Sequence, residues 1–157
     1  MATDTVERQD ISAFEIRKEI EIGAPIEIAF QSVLDELGPE GQMPNGQSLS
    51  LKIEPWPGGR WYRDLGNNTG HLWGHVQVIK PPTLLEITGP MPMSYPAVNY
   101  VQYRLKGEDG RTRLTFVHIA MGLILPEHRD GMGQGWAHWL ERIRELAERK
   151  NRKETQR

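Results

Sequence analysis

The sequence predicts an α+β domain: a meander of antiparallel strands covered by two separate helices. Three observations carry this. From Leu49 to Gly122 apolar and polar residues alternate in short runs, broken by turns rich in glycine, proline and asparagine. One segment before these runs, and one after them, switches to helical spacing. The connections between consecutive runs are too short for crossover helices, so neighbouring strands must be antiparallel.

Taken in order, "FEIRKEIEI" (Phe14 to Ile22) alternates apolar and charged residues and reads as a half-buried strand. In "GAPIEIAFQSVLDELG", Ile26, Ala29, Phe30, Val33, Leu34 and Leu37 share one helical face, with Pro25 suited to the first turn. "PEGQMPNGQ" reads as a loop or a short irregular helix. Next come "LSLKIE", a "PWPGG" turn, "RWYRDLG", a "GNNTG" turn, "GHLWGHVQVIK", and "PPTLLEITG". "VNYVQYRLKG" and "RTRLTFVHIAMG" flank "EDG", a hairpin turn with glycine placed for positive φ. After a polar loop, "PEHRDG", the chain ends in a helix from "GQGWAHWLERIRELAERK". There Trp136, Trp139, Leu140, Ile143, Leu146 and Ala147 form one apolar stripe. A stripe headed by two indoles must cover a large apolar surface, and the concave face of a curled sheet supplies one.

A length of 157 residues predicts one domain over 14–150, after a flexible N-terminal segment, 1–13, and before a basic tail, 151–157. The net charge of −2 argues against a nucleic-acid surface. Cysteine is absent, which excludes disulfides, thiolate metal sites and cysteine nucleophiles. The polar start is unlike a secretory signal and no apolar run could span a bilayer, so a cytoplasmic location is expected.

Tyr103, Phe116 and His118 are predicted to face the core with Trp61, Val76, Leu85 and Ile87. Together with Trp136 and Trp139 on the terminal helix, Trp61, Tyr103, Phe116 and His118 are the candidate ligand-binding residues. An apolar hollow with a few polar tips, here Tyr103 and His118, is the usual make-up of a small-molecule site. The competing reading is that His118 simply hydrogen-bonds inside the core. His71 and His75, four apart on a strand, stand about 13 Å from each other and cannot share a metal. His138 is expected to meet solvent and His128 to lie in a polar loop without a partner. Met91, Met93, Met121 and Met132 lie in or beside two apolar loops that read either as a hydrophobic mouth or as covers over the core ends. The "PWPGGRW" glycines lack the helix and lysine–serine pair of a phosphate cradle. No metal or cofactor is expected, and no residue is singled out as catalytic.

The ordered set "GAPIEIAFQSVLD", "EPWPGGRWY", "GHVQVIKPPTLLEIT", "DGRTRLTFVH" and "GWAHWLERIRELAE" resembles the blocks of a known family. These are proteins similar to the C-terminal domain of the heat-shock-ninety ATPase activator, in the START-like, SRPBCC superfamily of polyketide cyclases and lipid-transfer domains. The resemblance implies a helix-grip fold, a curved sheet of six or seven strands around the C-terminal helix with a cavity between them. It implies binding of an apolar or aromatic small molecule there. One alternative is a cyclase or dehydratase using His118 or Tyr103 as general acid or base. Another is a co-chaperone role, weakened because the additional N-terminal domain of full activators is not seen. A homodimer through the outward Val117 and Ile119 is a further expectation. Two features depart from the family, the "PMPMSYPAV" loop and Gly89 in place of an aromatic, both at the expected pocket rim.

Overall fold

A computed structural model describes residues 4–156. In chain order it contains β1 (Ser12–Ile22), α1 (Ile26–Glu36), β2 (Leu51–Ile53), β3 (Arg60–Gly66) and β4 (Thr69–Lys80). These are followed by β5 (Leu84–Gly89), β6 (Ala97–Glu108), β7 (Arg111–Gly122) and α2 (Pro126–Thr155). The strands form one curved antiparallel sheet in the order β1-β7-β6-β5-β4-β3-β2. The meander is therefore sequential from β2 to β7, and only β1 joins out of order, pairing with β7 from Ser12↔Gly122 to Ile22↔Thr112.

Local chemistry sets the turns. Asn67 and Asn68 (φ 53° and 58°) join β3 to β4, and Asp109 and Gly110 (φ 51° and 76°) join β6 to β7. Two consecutive left-handed residues in a two-residue loop match the right-handed twist of the strands, and Asn, Asp and Gly tolerate that conformation best. Alternation then sends Val101, Tyr103, Leu105, Leu114, Phe116 and His118 to the concave face, where all are buried. From above, α2 contributes Trp136, Leu140, Ile143, Leu146 and Ala147, and α1 contributes Ala29, Phe30 and Val33.

The structure differs from expectation in several places. The "PEHRDG" segment is the start of α2, with Leu125 as an extended N-cap, Pro126 at the first helical position and Glu127 in the first turn. The helix also continues through Thr155, across most of the segment set apart as a basic tail; its last turn carries Arg152 and Lys153, favourable at the negative end of a helix dipole. Pro25 caps α1 rather than opening it. Strand β1 starts two residues before Phe14, residues 4–11 have no regular structure, and 1–3 and 157 lie outside the described residues. Val117 faces outward but is buried, so it offers little to a partner, whereas Ile119 is partly open. The exposed apolar pair on that face is Val98 and Met121, register neighbours on β6 and β7. Among the described residues no helix is long and apolar enough to cross a membrane.

Candidate functional site

The site begins with an irregularity in β4. Trp61 pairs with Gly74 and Tyr62 with Leu72, so Trp73 is an extra residue in the ladder. Simple alternation would put Trp73 with His71 and His75, away from Val76. The bulge turns its indole inward instead, and Trp73 is buried. Next to it, β4 and β5 approach unusually closely. A Cβ on Gly89 would lie 2.3 Å from the Gly74 Cα and 2.5 Å from the Trp73 carbonyl oxygen, so a side chain is sterically impossible there. Only glycine fits at position 89. The close approach also lets the Met91 amide donate to the Trp73 carbonyl at 2.8 Å, laying the following loop over the tryptophan.

Two indoles from α2 meet two from the sheet. Trp73 stacks on Trp139 at 6.3 Å and 27°, and meets Trp61 edge-on at 5.1 Å. Trp136 lies edge-on to Trp139 at 5.7 Å and against Phe116 at 4.4 Å. Beside this cluster is a pocket of about 160 Å³ lined by Trp73, Met91, Pro92, Met132, Gly135, Trp136 and Trp139. Its wall is almost wholly apolar and contains no titratable side chain. Across the loop and helix that frame it, the Tyr95 hydroxyl and His128 Nδ1 are hydrogen-bonded at 2.7 Å, and their rings stack at 5.5 Å. His128 therefore has a partner that the sequence did not suggest.

A larger groove, about 630 Å³, follows the β3–β4 hairpin between Arg60 and Leu72. It is broad, about half of its lining is polar, and its charges are committed elsewhere. Arg60 pairs with Glu54 at 2.9 Å, Lys52 with Asp64 at 2.8 Å, and the Arg63 Nε donates to the Leu49 carbonyl at 3.1 Å. The smaller pocket is the better candidate, because apolar walls are what bind small molecules.

Behind that pocket His118 is fully engaged. The Trp136 indole can only donate, so His118 Nδ1 accepts from it at 2.9 Å, and the ring proton must sit on Nε2. That Nε2–H donates to Asn99 Oδ1 at 2.7 Å, and the Asn99 amide donates to the carbonyls of Gly89 (3.2 Å) and Pro90 (3.1 Å). The chain ties α2 to β7, β6 and the pocket loop. Burial pushes the His118 imidazole down to about 4, so it is neutral around pH 7. With both nitrogens used, it can neither orient a ligand nor move a proton without losing a structural bond.

A second buried polar group lies under α1. Glu36 is fully buried, its carboxyl 3.5 Å from the Arg142 Nε, and neither of its oxygens accepts a well-formed hydrogen bond. Removal from water outweighs the Arg142 guanidinium and raises the carboxyl to about 7, with Glu40 and Glu145 adding to the rise. The Tyr103 hydroxyl is also buried without a partner, and burial together with Glu36 raises its pKa.

Of the six predicted site residues, Trp136 and Trp139 line the pocket. Phe116 and His118 pack behind Trp136, Trp61 packs behind Trp73 and Trp139 with its Nε1–H donated to the Leu37 carbonyl at 2.7 Å, and Tyr103 sits behind Phe116. Met91 and Met132 line the mouth, while Met93 is buried beside Asn99 and Met121 faces solvent. His71 is half-buried, and His75 and His138 are exposed. No group of metal-ligating side chains occurs among the described residues.

A curved antiparallel sheet gripping a long terminal helix, with an apolar pocket where they meet, defines the helix-grip, START-like class. The family described as Activator of Hsp90 ATPase homolog 1-like protein matches residues 47–148, and the chain belongs to that family. No curated protein matches the sequence significantly. Similar solved structures include an uncharacterised protein from Rhizobium leguminosarum, with TM-score 0.65 and 19% identity over 89% of this chain and 99% of that one. CalU16 from Micromonospora echinospora has TM-score 0.59 and 18% identity, covering 89% and 85%. DynU16, a protein of the dynemicin biosynthetic locus, has TM-score 0.60 and 16% identity, covering 87% of this chain and 48% of its own. At these identities the likeness establishes the fold.

Proposed function

We propose that the protein binds a small apolar molecule in the pocket between the first half of α2, Trp73 and the 90–96 loop. One observation carries this: a cavity of about 160 Å³ whose wall is tryptophan, methionine, proline and glycine, in a chain of a ligand-binding fold class. Trp136 and Trp139 touch the ligand, and Trp61, Tyr103, Phe116 and His118 hold those indoles in place. Methionine and glycine at the rim let the wall adjust to an irregular shape. The absence of an acid or base from the lining, and the engagement of both His118 nitrogens, favour binding over cyclase or dehydratase chemistry. A relative in a biosynthetic locus is compatible with a carrier of a biosynthetic intermediate.

The test fills the pocket. A Cβ at Gly135 meets nothing within 4 Å, so Gly135→Leu adds an apolar side chain at the pocket without a clash. The variant should be at least as stable as wild type, since leucine is a better helix former than glycine by about 0.8 kcal/mol. It should lose the rise in melting temperature that small apolar compounds give the wild-type protein. If no such compound raises the wild-type melting temperature, and native mass spectrometry of gently purified protein finds nothing retained, the proposal fails.

A further inference from the structure

The two sides of the pocket differ in how firmly they are held. On one side the 90–96 loop carries Pro90, Pro92 and Pro96. Its backbone is tied down: the Met91 amide donates to the Trp73 carbonyl at 2.8 Å, the Met93 amide to the Pro90 carbonyl at 3.3 Å, and the Asn99 side chain to the Gly89 and Pro90 carbonyls. On the other side stand the first ten residues of α2, which supply Met132 and Gly135 to the wall. All of them except Met132 and Gly133 are exposed, and Gly131, Gly133 and Gly135 are demanded by no packing. Glycine is among the poorest helix formers, so these turns are held weakly. Both ends are nevertheless fixed. The Leu123 amide donates to the Pro96 carbonyl at 2.9 Å, and the Trp136 indole donates to His118. A stretch pinned at both ends cannot swing away; it opens locally, by unwinding its turns.

One side-chain bond fastens it. Among the described residues, His128 is the only one of these ten whose side chain hydrogen-bonds beyond the segment, and its partner is Tyr95 of the firm loop, at 2.7 Å with the rings stacked at 5.5 Å. His128, Met132, Gly135 and Trp139 recur at i, i+4, i+7 and i+11. The pair therefore sits on the helix face that lines the pocket, one turn ahead of Met132. Resting on the binding reading above, we infer that the first ten residues of α2 are a ligand-responsive wall: its turns unwind transiently without ligand and stay wound around it, with Tyr95 and His128 as the catch. Ligand contacts with Met132 and the Gly135 backbone exist only when those turns are wound. Binding therefore favours the wound form by whatever those contacts contribute.

Amide hydrogen exchange on the full chain tests this, with naphthalene, indole and decanol as probes and the melting temperature followed in parallel. A probe that raises the melting temperature should slow exchange at 129–135, about tenfold when present at ten times its dissociation constant. Amides flanking the β6–β7 turn, at the far end of the sheet, should keep their rates. Tyr95→Phe retains the ring stack and removes only the hydroxyl. Without any probe it should speed exchange at 129–135 about two- to tenfold, the worth of one neutral hydrogen bond, and again leave the β6–β7 turn unchanged. Tyr95→Phe should have no further effect on top of His128→Ala, since both remove the same bond. A raised melting temperature with unchanged exchange at 129–135 would overturn the responsive wall and leave the binding reading standing. Equal rates in wild type and Tyr95→Phe would overturn the role of the pair. If none of the three probes raises the melting temperature, the binding reading falls and this inference with it.

Discussion

At the scale of single residues, His118 and Glu36 are buried ionisable groups whose pH effects oppose each other. The folded His118 stays neutral down to about 4, whereas an unfolded histidine takes up its proton near 6.5. Its contribution is therefore full above pH 6.5 and is lost as pH falls toward 4, on the order of 3 kcal/mol. Glu36 behaves conversely. Its folded carboxyl keeps a proton up to about 7 against 4.5 unfolded, so its contribution is full below 4.5 and is lost as pH rises through 7. Between about 4.5 and 6.5 the two slopes cancel, which predicts a nearly flat contribution from the pair in that window. Glu36→Gln should expose the histidine slope, its stability relative to wild type growing from pH 4.5 to 7 in urea unfolding. Identical pH profiles for the two proteins would remove Glu36 from the account. Trp136→Phe should cost about 1–3 kcal/mol in the same assay beyond any packing loss, because His118 Nδ1 is left buried without a donor.

Among the elements, α2 divides into two halves of different character. From Trp136 onward its inner face is core, and several polar bonds fasten it to the β1–α1 corner. The Gly23 amide donates to the Glu148 carboxylate at 3.0 Å, the Asn151 amide donates to the Gly23 carbonyl at 3.2 Å, and Lys150 pairs with Asp35. The first ten residues are mostly exposed and include Gly131, Gly133 and Gly135, none with a neighbour within 4 Å of an added Cβ. No packing demands these glycines, so each weakens the helix by about 0.8–1 kcal/mol relative to alanine. Amides of 129–135 should exchange with deuterium faster than those of 140–150, and Gly133→Ala should slow the former and raise stability by nearly 1 kcal/mol. Equal protection in both halves would contradict this. The same glycines explain why the sequence shows the helix only from Gly133: helical spacing marks the apolar stripe, and an exposed Gly-rich turn carries none. The strands and the Trp136–Trp139 face are legible because alternation and helical period report burial directly. Trp73 is not, since a bulge reverses the parity that alternation relies on, and Glu36 is hidden because a charged side chain on a helix reads as solvent-facing.

Over the whole molecule, one strand pairing spans most of the chain while the others join neighbours. The sheet is a continuous meander except for β1, which finds its partner about a hundred residues later in β7. Topology of this kind folds slowly, and refolding on a millisecond-to-second scale is expected by stopped-flow tryptophan fluorescence; completion within microseconds would contradict the dependence on long-range pairing. During synthesis, then, the opening strand travels unpartnered until nearly all of the polypeptide has been made. Should that strand be clipped away, β7 would become a twelve-residue border with its backbone amides and carbonyls open to any passing chain. Proteolytic trimming at the amino end would thus turn the folded unit into a seed for precipitation.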